Sequence, residues 1–224
     1  MSPDQTSQQT DPVVDIDIVS DIMCPWCIVG FRQLEQALAA THMGARIRWH
    51  PFELNPQMPP EGQNLGDHIA EKYGQTAAQS EQNRAHLKAL GDTLGIDFAF
   101  DEDSRIVNSF QAHQLLEFAL SQGLQQPLKL ALFDAHFSQA QDVSDAETLV
   151  EIAHSVGLKR TEAQKVLSCG SLAASVREKQ AFWTSRGISG VPSMVFDGKY
   201  LVTGAQGADT YAQLLRKVAE EEAA

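Results

Sequence analysis

The first regular pattern in the chain is an alternation. From Val13 the residues read VVDIDIV, with Val14, Ile16 and Ile18 apolar and Asp15 and Asp17 polar between them. A period of two predicts a half-buried strand. After Pro25 the period changes. Cys27, Phe31, Leu34 and Leu38 recur at helical spacing and predict a helix to about Ala40. Pro25 suits the first turn of that helix, where its missing N–H leaves no bond unmade. ARIRWHPF then returns to strand, with Ile47 and Trp49 on one face. The opening is thus strand, helix, strand, a βαβ unit with Cys24 at the start of its helix.

From about Asn64 to Gly157 the pattern is helical. Ala112, Leu115, Leu116, Ala119 and Leu120 make one stripe, and QPLKLALFDAHFSQ, starting near Pro127, is apolar over a broad face. Ser144 with Glu147, and Thr161 with Gln164, have the spacing of capping boxes. SLAASVREKQAFWTSRG is a further helix. SMVF and KYLVT flank Asp197-Gly198, a strong hairpin signal because both turn residues accept positive φ. A last amphipathic helix carries Tyr211, Leu214, Leu215 and Val218. The order β-α-β, helices, α-β-β-α predicts an α/β chain, a thioredoxin-like fold with a large all-helical insertion. Residues 1–12 read as a disordered tail. Residues 13–60 and 165–224 make the discontinuous thioredoxin-like domain, and 61–164 the helical insertion. The Pro-rich PFELNPQMPPEG marks the passage into it.

Charge narrows the partners. A net charge of −12 repels nucleic acid and anionic membrane surfaces, so neither is expected as a partner. MSPDQTSQQTDP has no basic or apolar character and does not read as a secretory signal. No apolar run reaches the roughly 20 residues that span a bilayer. The expected location is the cytoplasm. There a close cysteine pair is more often catalytic or metal-binding than structural.

That pair lies in MCPWC, at Cys24 and Cys27. A thiol at a helix start lies beside free backbone N–H groups and the positive end of the helix dipole. Both favour thiolate, and such motifs lower a cysteine pKa to roughly 3.5–7. Cys24 is therefore expected to attack and Cys27 to resolve the mixed disulfide. Zinc needs about four ligands. Cys169 and the histidines offer candidates, but no second C-x-x-C or H-x-x-x-H accompanies the pair, and no metal is expected. Two core thiols adjacent by chance are the remaining reading. In GVPS, Val191-Pro192 precedes the strand expected to join the βαβ unit. Elsewhere such a dipeptide is only a turn.

Four stretches together, SDIMCPWCIVG, PFELNP, NSFQAHQLL and GISGVPSMVFDGKYLVTGAQ, resemble the DsbA-type thioredoxin-fold oxidoreductases, in particular their FrnE-like branch. The resemblance spans roughly residues 13–215. It implies thiol–disulfide oxidation, reduction or isomerisation with no bound cofactor beyond the redox-active disulfide. It also implies a cis bond at Pro192, packed against the cysteine turn, with Val191 free to pair with a substrate chain. Strongly oxidising relatives carry histidine where Trp26 stands, so a weaker oxidant is expected. Many thioredoxin-fold enzymes bury a carboxylate six residues before the first cysteine. Here that residue is Ile18, and Asp17 and Asp21 are the nearest acids.

Pro25, Trp26, Val191 and Pro192 are thus the expected motif and substrate-binding positions. Trp26 would be a partly exposed apolar platform, with Trp49 and Trp183 in the core. His113, Asn55 and Asp21 are further candidates. For His113 a packing role is weighed against a place in the cleft, and for Asn55 a turn against a substrate contact. His50 is expected to be structural and Cys169 a packing thiol. Expected substrates are proteins or small molecules bearing thiols or disulfides, with thioredoxin or glutathione as exchange partners and glutathione as a co-substrate. Two rival readings stand beside this one. One is a glutathione-dependent isomerase or transferase on the same fold, and the other a non-catalytic chaperone or metal carrier.

Overall fold

A computed structural model describes residues 13–222, so the tail expected at 1–12 lies outside the described residues. Strand β1 (Val13–Ser20) buries Val14, Ile16 and Ile18 and exposes Asp15. Pro25 opens helix α1 (Pro25–Thr41), which stops where His42 turns left-handed at φ 52. Strand β2 (Gly44–Pro51) runs parallel to β1, with Trp49 opposite Ile18. On the other edge of β1 lies antiparallel β5 (Ser193–Phe196), with Met194 opposite Ile18. Strand β6 (Tyr200–Thr203) completes the sheet in the order β2-β1-β5-β6. Asp197 and Gly198 turn the hairpin at φ 49 and 67.

Alternation along β1 sends its side chains to two cores. Ile16 and Ile18 meet Phe31 and Leu34 of α1, and Tyr211 and Leu215 of α9 (Ala208–Glu222). Val19 faces the opposite way, to Trp183 of α8 (Ala173–Ser185). These are the two helix layers of a thioredoxin-like sandwich.

Between β2 and α8 come β3 (Gln63–Asn64), α2 (Leu65–Tyr73), α3 (Ala77–Leu94) and β4 (Arg105–Ile106). They are followed by α4 (Phe110–Ser121), α5 (Gln125–Phe137), α6 (Ala146–Ser155) and α7 (Arg160–Cys169). Helices α4 to α7 share a core in which the predicted Leu115–Leu116 stripe meets Leu128, Leu132 and Leu149. Helix α5 is the bridge between cores. Leu128 and Leu132 belong to the helical one, Phe133 and Phe137 to that of the sheet. The helical region also contains one small ribbon, β3 paired antiparallel with β4.

The caps differ from the expected ones. Asp145, not Ser144, caps α6 and accepts from the Thr148 N–H at 2.8 Å. Its carboxylate gains from the helix dipole in a way a hydroxyl does not. Thr161 falls inside the first turn of α7, after Lys159 at the cap. The capping box that does form joins Thr76 and Gln79 on α3. Among the described residues no helix is long and apolar enough to cross a membrane.

Gly91 lets α3 lie against the segment that follows it. A Cβ there would stand 2.6 Å from the Ile96 carbonyl oxygen and 2.7 Å from the Phe98 ring. Since backbone cannot yield as a side chain does, Gly91→Ala is expected to cost about 1–3 kcal/mol. A thermal melt showing an unchanged Tm would refute this.

Candidate active site

The turn between β1 and α1 builds the site. Cys24 is the N-cap of α1 at φ −98 and ψ 109, and its own N–H donates to the Asp21 carbonyl at 3.3 Å. The Cys27 N–H donates to the Cys24 carbonyl at 3.0 Å. Both cysteines are thiols, Cys24 4% exposed and Cys27 fully buried. Across the turn the Val191–Pro192 peptide is cis, and the Cys24 thiol donates to the Val191 carbonyl at 3.6 Å. Gly30 makes this packing possible, since a Cβ there would lie 3.2 Å from the Pro192 ring.

The two thiols titrate as a pair. Their hydrogen bond, then burial, pushes Cys24 well above the ordinary thiol range. Burial pushes Cys27 up too. The hydrogen bond from Cys24, the charge of Lys129 and the nearby Ser20 hydroxyl outweigh it, so Cys27 ends below its ordinary value. The direction at Cys24 is opposite to the lowering expected of a thiol at a helix start, because the paired sulfur and burial act against the helix dipole.

Asp21 lies in the loop after β1 and is buried there. It is 1% exposed and accepts from the Leu54 N–H at 2.7 Å and the Met23 N–H at 3.2 Å. His113 Nε2 stands 3.6 Å from its carboxylate. Burial alone would raise the Asp21 pKa, but His113, the Leu54 N–H and Ser109 bring it below the usual value. His113 itself is buried, with its Nε2 3.0 Å from the Phe52 carbonyl oxygen, and it does not line the cleft beside Cys24. His50 pairs with Asp17 at 2.6 Å and packs on Trp183, away from the thiols.

A cleft of about 690 Å³ opens over Cys24. Pro25, Trp26, Asn55 and Val191 line it from the thioredoxin-like part, and Leu87, Phe100 and Ile106 from the helical region. Trp26 is 38% exposed, whereas Trp49 and Trp183 are buried. Asn55 accepts from the Lys72 ammonium at 2.6 Å, and its carbonyl closes a turn onto the Met58 N–H at 3.0 Å. Cys169 lies elsewhere. It is exposed at the end of α7, whose apolar face is Ala163, Val166 and Leu167, so the packing role expected for it is corrected. Among the described residues, no three His, Cys, Asp or Glu side chains converge in a way that would hold a metal ion.

One buried cation escaped the reading of the sequence. Lys129 of α5 is 1% exposed, its ammonium 4.7 Å from the Phe133 ring centre and 5.3 Å from that of Trp49. The available signal was a lone lysine within the apolar run LKLALF.

A probable DsbA oxidoreductase from Streptomyces coelicolor is 32% identical, superposes with a TM-score of 0.88, and shares 93% of this chain and 91% of its own. An uncharacterized Bacillus subtilis protein, YwbO, is 25% identical over 90% of this chain and 96% of its own length. The cytosolic disulfide reductase DsbM from Pseudomonas aeruginosa, solved with GSH, has the same fold at 17% identity. Its TM-score is 0.64, over 92% of this chain and 99% of its own. The model of the DSBA-like thioredoxin domain matches residues 15–216, nearly all of the described chain, and the protein belongs to that family.

Proposed function

We propose that the protein is a thiol–disulfide oxidoreductase working through Cys24 and Cys27. The observation that carries this reading is the placement of the pair. Cys24 caps a helix at the floor of a cleft, and Cys27 lies buried directly behind it. Loss of the Cys24 proton to the neighbouring Cys27 sulfur leaves a Cys24 thiolate. This attacks a substrate disulfide, forming a mixed disulfide and releasing one thiolate. Cys27 then attacks the Cys24 sulfur and releases the second half of the substrate. In the reverse direction the same steps oxidise a dithiol.

Val191 and Pro192 shape the groove in this reading, and the Val191 backbone meets an extended substrate. Trp26 is the apolar surface beside the reacting sulfur. We place the chain in the FrnE-like branch, in the cytoplasm, with glutathione or thioredoxin as exchange partner. The GSH-bound DsbM on the same fold supports glutathione. No resident cofactor is required, since the electrons reside in the disulfide.

The test is the redox equilibrium of the pair in graded glutathione buffers, read by thiol trapping and mass. An internal disulfide is expected, with a midpoint between about −120 and −270 mV. Trp26 lacks the charge that would favour the strongly oxidising end. If no internal disulfide forms at any poise, the reading fails.

A further inference from the structure

One side chain in the wall of the cleft has a ring nitrogen that the fold leaves without a partner. Helix α2 supplies it. Asn64 starts that helix by accepting from the Gly66 N–H at 2.8 Å and the Asp67 N–H at 3.2 Å. One turn in, His68 lines the cleft and is 8% exposed. Its Nδ1 lies 2.8 Å from Gln63 Oε1. The Gln63 amide nitrogen donates to the Glu71 carboxylate at 2.7 Å, and reversing the amide would set two acceptors face to face there. Gln63 Oε1 therefore accepts, and His68 Nδ1 carries the ring proton. Nε2 is left with a lone pair, and among the described residues nothing donates to it. Burial and the neighbouring Lys72 charge hold the His68 pKa below its ordinary value. The ring is then neutral at neutral pH, and Nε2 stays an acceptor.

Helix α2 is tied to the cysteine turn. Lys72, one turn beyond His68, donates to the Leu54 carbonyl at 2.8 Å and to Asn55 at 2.6 Å. The Leu54 N–H donates to the Asp21 carboxylate, and the Asp21 carbonyl accepts from the Cys24 N–H. His68 and Cys24 thus sit in one braced frame around one cleft. Between them the wall is apolar, with Ile69 of α2, Leu87 of α3, Phe100 and Ile106. Trp26 and Tyr73, 38% and 56% exposed, add aromatic surface to the same cleft. Its volume of about 690 Å³ is that of a small-molecule site. Cys24 is recessed in it at 4% exposure, which favours a small flexible disulfide over one held in a folded domain.

We propose that this wall is a subsite for one arm of a low-molecular-weight disulfide, an uncharged and largely apolar arm ending in a hydroxyl or amide donor that His68 Nε2 accepts. The proposal rests on the exchange reading above and names its substrate class. Cys24 attacks the disulfide while the arm lies along Leu87, Phe100 and Ile106. The donor at its end gives Nε2 the partner that the protein does not supply. A look-alike without the donor leaves that acceptor buried and unpaired, and this is what makes such a site selective. The substrate disulfide gains two electrons and two protons and leaves as two thiols. The Cys24–Cys27 dithiol supplies both as it closes to a disulfide. Two glutathione thiols then restore the dithiol and leave as their own disulfide.

The experiment uses the full chain, reduced and carrying Cys169→Ser, so that only the pair reacts. Two matched series of symmetrical alkyl disulfides of graded arm length are added, one ending in hydroxyl and the other in methyl. Oxidation of the pair is followed by thiol trapping and mass, and each rate is divided by that of free dithiothreitol with the same disulfide. In the parent, the hydroxyl series is expected to peak at one arm length. There it should react about tenfold or more faster than its methyl counterpart. In His68→Leu that ratio should fall to one or below, and in His68→Gln, which keeps an acceptor, part of it should return. The ratio is taken within each variant, so a general loss of stability cancels. Where His68→Leu folds poorly, Leu87→Trp, which fills the apolar wall, should move the peak to shorter arms. Insulin, a folded protein disulfide, should react more slowly than the best small disulfide on the same scale. Equal ratios in the parent and His68→Leu, an unmoved peak in Leu87→Trp, or insulin outpacing every small disulfide overturns the subsite. A parent pair that none of these disulfides oxidises overturns the exchange reading itself.

Discussion

Cys27→Ser is expected to halt the reaction halfway. Cys24 keeps its place at the start of α1 and still forms the mixed disulfide, but nothing behind it can displace the substrate. A stable covalent adduct should accumulate, visible by mass, and turnover should fall about a thousandfold or more. Cys24→Ser should give the same loss of turnover without the adduct, because Cys27 is fully buried and no substrate reaches it. The pattern separates readings. A glutathione-dependent isomerase needs only one activating group and would survive Cys27→Ser. A chaperone would bind its client equally well in Cys24→Ser, and a metal carrier would purify with stoichiometric zinc. Full turnover in Cys27→Ser would remove the second thiol from the mechanism.

The other large effect belongs to Asp21. Its carboxylate accepts from two backbone N–H groups, those of Met23 and Leu54, and neighbours His113. In Asp21→Ala those buried donors lose their partner, and the expected loss is about 3–5 kcal/mol of folding stability. The sign with pH follows from the lowered pKa. The group stabilises the fold above its unfolded value, near 3.8, and that contribution disappears as pH falls through the lower, folded value. Acid unfolding should therefore be shallower in Asp21→Asn than in the parent. Asp21 also repels a charge on Cys24, so Asp21→Asn should lower the pH at which the pair gives up its second proton. Equal acid unfolding curves for the parent and Asp21→Asn would refute the linkage.

The alternation in VVDIDIV, the helical spacing after Pro25 and the Asp-Gly turn each carry a strong local signature, and each element formed where those signatures stood. The cysteine turn was legible for the same reason, since N-cap, proline and both thiols lie within four consecutive positions. Asp21 was harder. Its burial comes from α4 and the chain around Leu54, which close over it from far along the sequence. Lys129 has a helical neighbour pattern that reads as an ordinary amphipathic face. Only the placement of α5 against β2 turns that face inward. Cys169 was misread because a free cysteine is usually buried, whereas the end of α7 turns it to solvent. What escaped was in each case decided by which helix meets which, and periodicity within one helix carries no record of that.

The antiparallel pairing of Ile18 with Met194 has a consequence in time. A ribosome adding about 5–20 residues per second completes Met194 roughly ten to thirty seconds after Ile18. Through that interval the nascent chain has both thiols and β2, but neither β5 on the second edge of β1 nor the Val191 carbonyl that meets Cys24. The thiols emerge early as two accessible cysteines on an unfinished chain. The last strands bring the Val191 carbonyl to Cys24, so the geometry of the site is completed only near the end of synthesis.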